Sequence, residues 1–433
     1  MMGDVQVTKS QALFEEGIRN ISGGPPVTHH LKFEDHVYFE RAEGAYLYDV
    51  DGNRWTDLQG GFSALPMGHN VPVVREAIRD YLDNAYFLPA SHRPIVELST
   101  VIRERVPSIE KLQFADSATR ATHFAVRAAR QYTGRPKFAK FIGSYHGSWD
   151  AAMYGTAVRY GADPDQMYLL PGMPRHSGGE VVLLPYNEQA ECERIIADHA
   201  DELGSLIVEP VQGDGYIPPL PGFLPFLREI CDQHGIVLIF DETITLALAP
   251  GGAQELYGVW PDLTTMGKAM SGGLPIAATG GRAEIMAVGD GSKVDLPVHP
   301  GGSLAGHVLG AVASRAQLQA MTPDVYARLH ELGDRARDGI NAIGERLGLP
   351  ELYATGVGHL LNLHVNSRPS VTYADHLGCD ISRINEFDYA FYRNRYLPIA
   401  LGRIHLNSAM SDEDVDGFLE VVATTAEQIT AKA

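Results

Sequence analysis

The feature that most constrains this chain is a series of short, continuously apolar runs, each ended by polar residues. The most apolar is Ile236-Val237-Leu238-Ile239-Phe240, ended by Asp241-Glu242. Further runs lie at 111–115, 137–141, 205–208, 263–266 and 275–279, mostly separated by stretches with helical periodicity such as 121–131 and 222–233. An unbroken apolar strand is covered on both faces. The alternation therefore predicts an α/β fold whose mainly parallel sheet carries helices on either side.

Two amphipathic helices, at 73–82 and 95–105, precede the first of these strands. Residues 10–73 read as an irregular arm and a small meander, with strands at 45–50 and 54–58 around an Asp51-Gly52 turn. From 322 the pattern becomes a helix at 325–347, strands at 360–365 and 403–406, and a closing helix at 412–430. The expected organisation is a large domain at 74–321 and a small α+β domain drawn from 1–73 and 322–433.

Lys and Arg total 35 against 54 Asp and Glu in 433 residues, a net charge of −19. That balance argues against a protein that tracks nucleic-acid phosphates. No apolar run reaches the roughly 18 residues of a membrane span. Residues 1–20 include Asp4, Glu15 and Glu16 and show no apolar signal core. Cys192, Cys231 and Cys379 are odd in number and widely spaced, giving neither a disulfide framework nor a zinc spacing. A cytoplasmic protein without a metal is expected.

Polar residues collect just after the predicted strands, where open parallel sheets bind ligands. They are Asp116-Ser117-Ala118-Thr119, Tyr145-His146-Gly147, Glu209-Pro210-Val211-Gln212-Gly213, Asp241-Glu242 and Gly267-Lys268, with Gly301-Gly302-Ser303 in a later loop. Each has a task if the ligand is pyridoxal phosphate. Ser117, Ala118 and Thr119 open a helix and offer amides to a phosphate. Asp241 suits a pyridine nitrogen that must stay protonated. Tyr145 offers a flat face, Lys268 an amine for the aldehyde, and Gln212 a donor to the ring hydroxyl. Asp241-Glu242 with Gly267-Lys268 also looks like a nucleotidase pair. A phosphate loop would need Gly at 262 and Ser or Thr at 269, however, and the chain has Asp262 and Ala269.

The chain resembles the class III aminotransferases of fold type I, in the branch holding glutamate-1-semialdehyde aminomutase and β-amino-acid aminotransferases. The resemblance spans nearly the whole length. It runs in the family's order through Gly68-His69, Tyr132-Thr133-Gly134-Arg135, Tyr145-His146-Gly147, Val208-Glu209-Pro210-Val211-Gln212-Gly213 and Pro221-Gly222-Phe223-Leu224. It continues through Ile239-Phe240-Asp241-Glu242, Gly252-Ala253-Gln254-Glu255 and the stretch from Pro261 to Gly267-Lys268. It implies a seven-stranded sheet and Lys268 as the Schiff-base lysine. It also implies Asp241 as the ring-nitrogen partner, Tyr145 as the stacking ring, and Ala118 and Thr119 in the phosphate loop. His146 and Glu209 are expected near the ring. Ser303 matches a hydroxyl that reaches the phosphate of the other subunit, which implies a homodimer with shared sites. Phe62 matches an aromatic at the substrate opening.

Three departures stand out. The family's Ser-Gly-Thr-Glu-Ala loop reads Ser117-Ala118-Thr119-Arg120-Ala121 here. A cation in the first helical turn opposes the dipole, so Arg120 should have an anionic partner: phosphate, substrate or a neighbouring acid. No arginine follows Asp241-Glu242, where the chain runs Thr243-Ile244-Thr245-Leu246-Ala247-Leu248. Near Pro398-Ile399-Ala400-Leu401-Gly402 the nearest arginine is displaced to Arg403. Arg120 and Arg403 are thus the candidate substrate contacts. The expected activity is ping-pong aminotransfer from an amine donor to a carbonyl acceptor. An aminomutase or racemase, or an inactive binding protein on the same fold, stands beside it.

Overall fold

The computed structural model describes residues 8–22, 36–157, 167–299 and 301–432. The chain forms two units. One comprises Pro72–Tyr326 and Val371–Ala374, the other Met1–Val71, Ala327–Ser370 and Asp375–Ala433.

The first unit is built on seven strands: β1 Lys111–Ala115, β2 Lys137–Phe141, β3 Val181–Leu184, β4 Leu203–Val208, β5 Val237–Asp241, β6 Leu263–Met266 and β7 Ala277–Gly281. Their order across the sheet is β1-β7-β6-β5-β4-β2-β3. All pairings are parallel except those of β7, which runs antiparallel to β1 and β6. The α/β, mainly parallel expectation holds. The apolar runs miss β3, Val181-Val182-Leu183-Leu184, which Pro185 ends at once with no polar residue to mark its end.

Strand alternation decides what each face buries. Val237 and Ile239 pack with Phe124, Ala125 and Ala128 of the helix Ala118–Thr133. Leu238 and Phe240 face the other way, onto Leu227 and Cys231 of the helix Phe223–His234 and Ile196 of Gln189–His199. Each such buried side chain contributes about 1.5–3 kcal/mol. Continued by one step, the same alternation puts Asp241 on the side of the helix that begins at Ala118. That helix ends where Gly134 turns left-handed at φ +72° and its amide bonds Arg130 O.

In the second unit Leu352–Val357, Leu360–Val365 and Arg403–His405 form an antiparallel sheet. Its core joins Leu361, Leu363 and Ile404 to Phe387 and Phe391 of the helix Ile381–Arg393 and to Phe418 of the helix Asp412–Lys432. His69 bonds Asp57 at 2.7 Å, a structural tie within this unit. The irregular arm expected from residue 10 is corrected: Thr8–Asn20 is a helix. Its first amides find their acceptor far along the chain, Lys9 N and Ser10 N both donating to the Asp51 carboxylate at 2.8 and 2.9 Å. A cap supplied across 41 residues leaves no local signal. Among the described residues no helix is long and apolar enough to cross a membrane.

Candidate active site

Asp241 is the centre of the site in the first unit. It ends β5 with only 4% exposure. His146 Nδ1 lies 2.9 Å from its Oδ2, while Oδ1 accepts from the Thr243 hydroxyl at 2.5 Å and the Thr265 hydroxyl at 2.9 Å. Burial pushes this carboxyl up, but the bonds from His146, Thr243 and Thr265 outweigh it and hold Asp241 below the usual carboxylate range. Burial lowers His146 despite Asp241, so a neutral imidazole donates to an anionic carboxylate. The adjacent acid has another task. Glu242 points away to accept from Ala253 N and Gln254 N, both at 2.9 Å, capping the short helix Ala253–Tyr257.

Tyr145 is half exposed, with Thr119 and the Asp241 charge close enough to act on its hydroxyl. Gly147 brings this segment against the helix start: a Cβ there would lie 2.7 Å from Thr119 Cα. Ser117 is the N-cap of that helix yet gives it no side-chain bond, so the amides of its first turn have no side-chain cap. Gly267 passes so close that a Cβ on it would meet Ala118 Cβ at 3.2 Å. Lys268 follows immediately, half-buried, with its backbone in the left-handed region at φ +42°. Such a conformation in a non-glycine residue costs on the order of 1–3 kcal/mol and persists only where the surroundings impose it.

Behind Tyr145 and His146 lies a polar group that the sequence reading found only in part. Glu209 is 6% exposed and is pushed up to about 7 by burial, then by the Asp241 charge. Gln212 donates to Ile142 O at 2.6 Å, and its Oε1 is left without a partner. The unpartnered atom is an acceptor, where a donor to the ring hydroxyl was expected. Lys140 was read as part of an apolar strand. It is fully buried and donates to Ser144 O at 2.8 Å and Ala152 O at 2.6 Å. Burial lowers its amine to about 7. Thr243, Thr265 and Lys140 were all missed, because one polar residue within or beside a strand carries no periodic signal.

The anionic partner of Arg120 is Asp116, with Nε 3.0 Å from Oδ1 and the arginine half exposed. Glycines 301 and 302 crowd this pair. Cβ atoms on them would meet Arg120 Nη1 at 3.0 Å and Asp116 Oδ2 at 2.5 Å. Ser303 is exposed on that loop and lines a cleft with Phe87, His92 and Gln113. Phe62 and Arg403 belong to the second unit. Phe62 has φ +57° and meets the His405 ring edge-on at 6.5 Å. Arg403 Nε reaches Ala400 O at 3.4 Å.

An anionic carboxylate at a strand end, a half-exposed tyrosine, glycines close against the helix start, and unpartnered buried atoms at His146 Nε2, Glu209 Oε2 and Gln212 Oε1 fit a phosphorylated pyridine aldehyde. This is the architecture of a fold type I pyridoxal-phosphate enzyme. The class III aminotransferase family model matches residues 30–371, and the chain belongs to that family. Glutamate-1-semialdehyde 2,1-aminomutase 2 of Brevibacillus brevis is 36% identical over 424 residues, covering 95% of this chain and 96% of that protein. An omega-transaminase from Sphaerobacter thermophilus has a crystal structure similar to this one, with a TM-score of 0.89 at 32% identity, covering 96% and 97% of the two chains. A transaminase with PLP bound gives 0.90 at 28% identity, covering 99% of each.

Proposed function

We propose that the chain is a ping-pong aminotransferase, moving an amino group from an amine donor to a carbonyl acceptor. Pyridoxal phosphate, when bound, supplies an electron sink for a carbanion beside the transferred nitrogen. Lys268 is its covalent anchor. Once displaced by a donor, Lys268 Nζ takes the proton from the carbon bearing the nitrogen and later returns one, as general base and then acid. Asp241 keeps the ring nitrogen protonated, and His146 holds Asp241 in orientation. Ala118 and Thr119 offer their amides to the phosphate, and Tyr145 offers its ring face.

The observation that carries this reading is the Asp241 pocket: a carboxylate almost without solvent, kept ionised by three side-chain donors, on the strand beside the one that leads to Lys268. No arginine lies between Thr243 and Leu248 to clamp an α-carboxylate, which favours an acceptor without one. We propose further that the enzyme is a cytoplasmic homodimer in which Ser303 reaches the phosphate of the partner's site.

The name of the Brevibacillus brevis relative favours a second reading, an aminomutase that returns the nitrogen to the same skeleton. Dependence on an acceptor separates the two. Donor amine alone should bleach the yellow enzyme in a single half-turnover, and a carbonyl acceptor should restore it. Steady turnover of one substrate with no acceptor overturns the aminotransferase reading. Borohydride should fix the cofactor to wild-type protein and not to Lys268→Ala, and fixation in both would remove Lys268 from its role.

A further inference from the structure

Outside the catalytic site, the second unit gathers His364, His376 and Cys379, all buried, with one potential ligand atom from each within 4.8 Å of the others. Cys379 Sγ stands 3.5 Å from His364 Nδ1 and 3.8 Å from His376 Nδ1. A tetrahedral zinc ion, with Zn–S about 2.3 Å and Zn–N about 2.0–2.1 Å, sets its sulfur and nitrogen ligands about 3.6 Å apart. Both separations lie close to that value.

The surroundings are those of a ligand set. His364 Nε2 is engaged by the Thr355 hydroxyl at 2.7 Å, which leaves Nδ1 as the nitrogen turned to the sulfur. Such an outer bond fixes the tautomer and orientation of a ligating histidine. Tyr353 stacks on the His364 ring at 4.9 Å, and its hydroxyl holds Ser370 Oγ at 2.9 Å. That Oγ lies 3.4 Å from His364 Nδ1 and 4.0 Å from Cys379 Sγ. The three ligands also close a loop. His364 is on the strand Leu360–Val365, and Cys379 immediately precedes Asp380, the N-cap of the helix Ile381–Arg393. Between them runs a segment that includes the short helix Tyr373–His376, of which His376 is the last residue.

We propose that His364, His376 and Cys379 bind a structural zinc ion, with a water or the Ser370 hydroxyl in the fourth position. The cysteine binds as thiolate and both imidazoles bind through Nδ1, so uptake at neutral pH releases the thiol proton. The ion ties strand to helix across the intervening segment and takes no part in aminotransfer.

Tag-free holoenzyme purified without chelator should carry one zinc per chain by plasma mass spectrometry. After removal of the metal, Co(II) should restore one equivalent. It should show the tetrahedral visible bands that lie to the red of the cofactor's absorption. Chelation should lower Tm by about 5 °C. Cys379→Ala should lose the bound metal. Thr355→Val keeps every ligand and guards against a misfolded cysteine variant; it should bind Co(II) about 10–100-fold more weakly. Wild-type protein that holds no zinc and gives no tetrahedral cobalt spectrum overturns the proposal. So does stoichiometric copper in place of zinc, or unchanged binding in folded Cys379→Ala.

Discussion

Asp241 and Asp388 are both almost solvent-free, and their carboxyls are shifted in opposite directions. Asp241, in the first unit, has two hydroxyls and an imidazole turned toward it and stays below the usual carboxylate range. Asp388, in the second, is on the helix Ile381–Arg393 and has no side-chain donor at hydrogen-bond distance among the described residues. It accepts from the backbone of Gly402 and Leu401, its Oδ1 has no partner, and burial pushes it up to about 7. Burial alone pushes a carboxyl toward its neutral form. Side-chain donors make it an anion, and only the anion can keep a pyridine nitrogen protonated.

The most severe way to break the comparison is Asp241→Asn, which keeps the shape and removes the charge. Turnover should fall by about 10²–10³-fold, measured as acceptor-dependent kcat on protein shown to hold cofactor. His146→Phe removes one of the donors. It should cost about 10-fold in kcat, and the acidic limb of the pH–rate profile should move to higher pH as Asp241 loses its support. A profile that does not move would reduce His146 to packing.

Asp388 tests the other half. Its folded pKa of about 7 lies above the ordinary 3.8, so the native state keeps its proton longer than the unfolded chain. Its contribution is fully present below pH 3.8 and is lost as pH rises to 7. Asp388→Asn should therefore be about 2–4 kcal/mol more stable than wild type at pH 8 and little changed at pH 3.8, by urea denaturation. Equal stability at pH 8 would mean that Asp388 is paired in solution. The smallest effect belongs to Arg120. Its pairing with Asp116 is half exposed, so Arg120→Ala should shift stability by no more than about 1 kcal/mol. A large loss of cofactor affinity in that variant would show a second role at the phosphate.

The sequence revealed six of the seven strands because a short apolar run stands out between helical stretches, as at 236–240. It singled out Lys268 and Asp241 as candidates because both stand at ends of such runs. It did not reveal what holds Asp241: Thr243, Thr265 and His146 come from three different segments, and their convergence is a product of folding. Gln212 shows a further limit. A side-chain amide both donates and accepts, and only the Ile142 carbonyl on its nitrogen shows which atom is left over. The triad of His364, His376 and Cys379 was invisible to a search for cysteine pairs, because two of its ligands are histidines and one is on a separate strand.

Lys268 bends the backbone where a residue with a side chain is ill at ease, and its amine is the group the proposed aminotransfer needs there. Glycine at this position would relax the turn and abolish the activity. An inactive Lys268→Gly protein could thus outlast the working enzyme on heating. At this one residue, durability and turnover are rival goods, and the chain has settled for turnover.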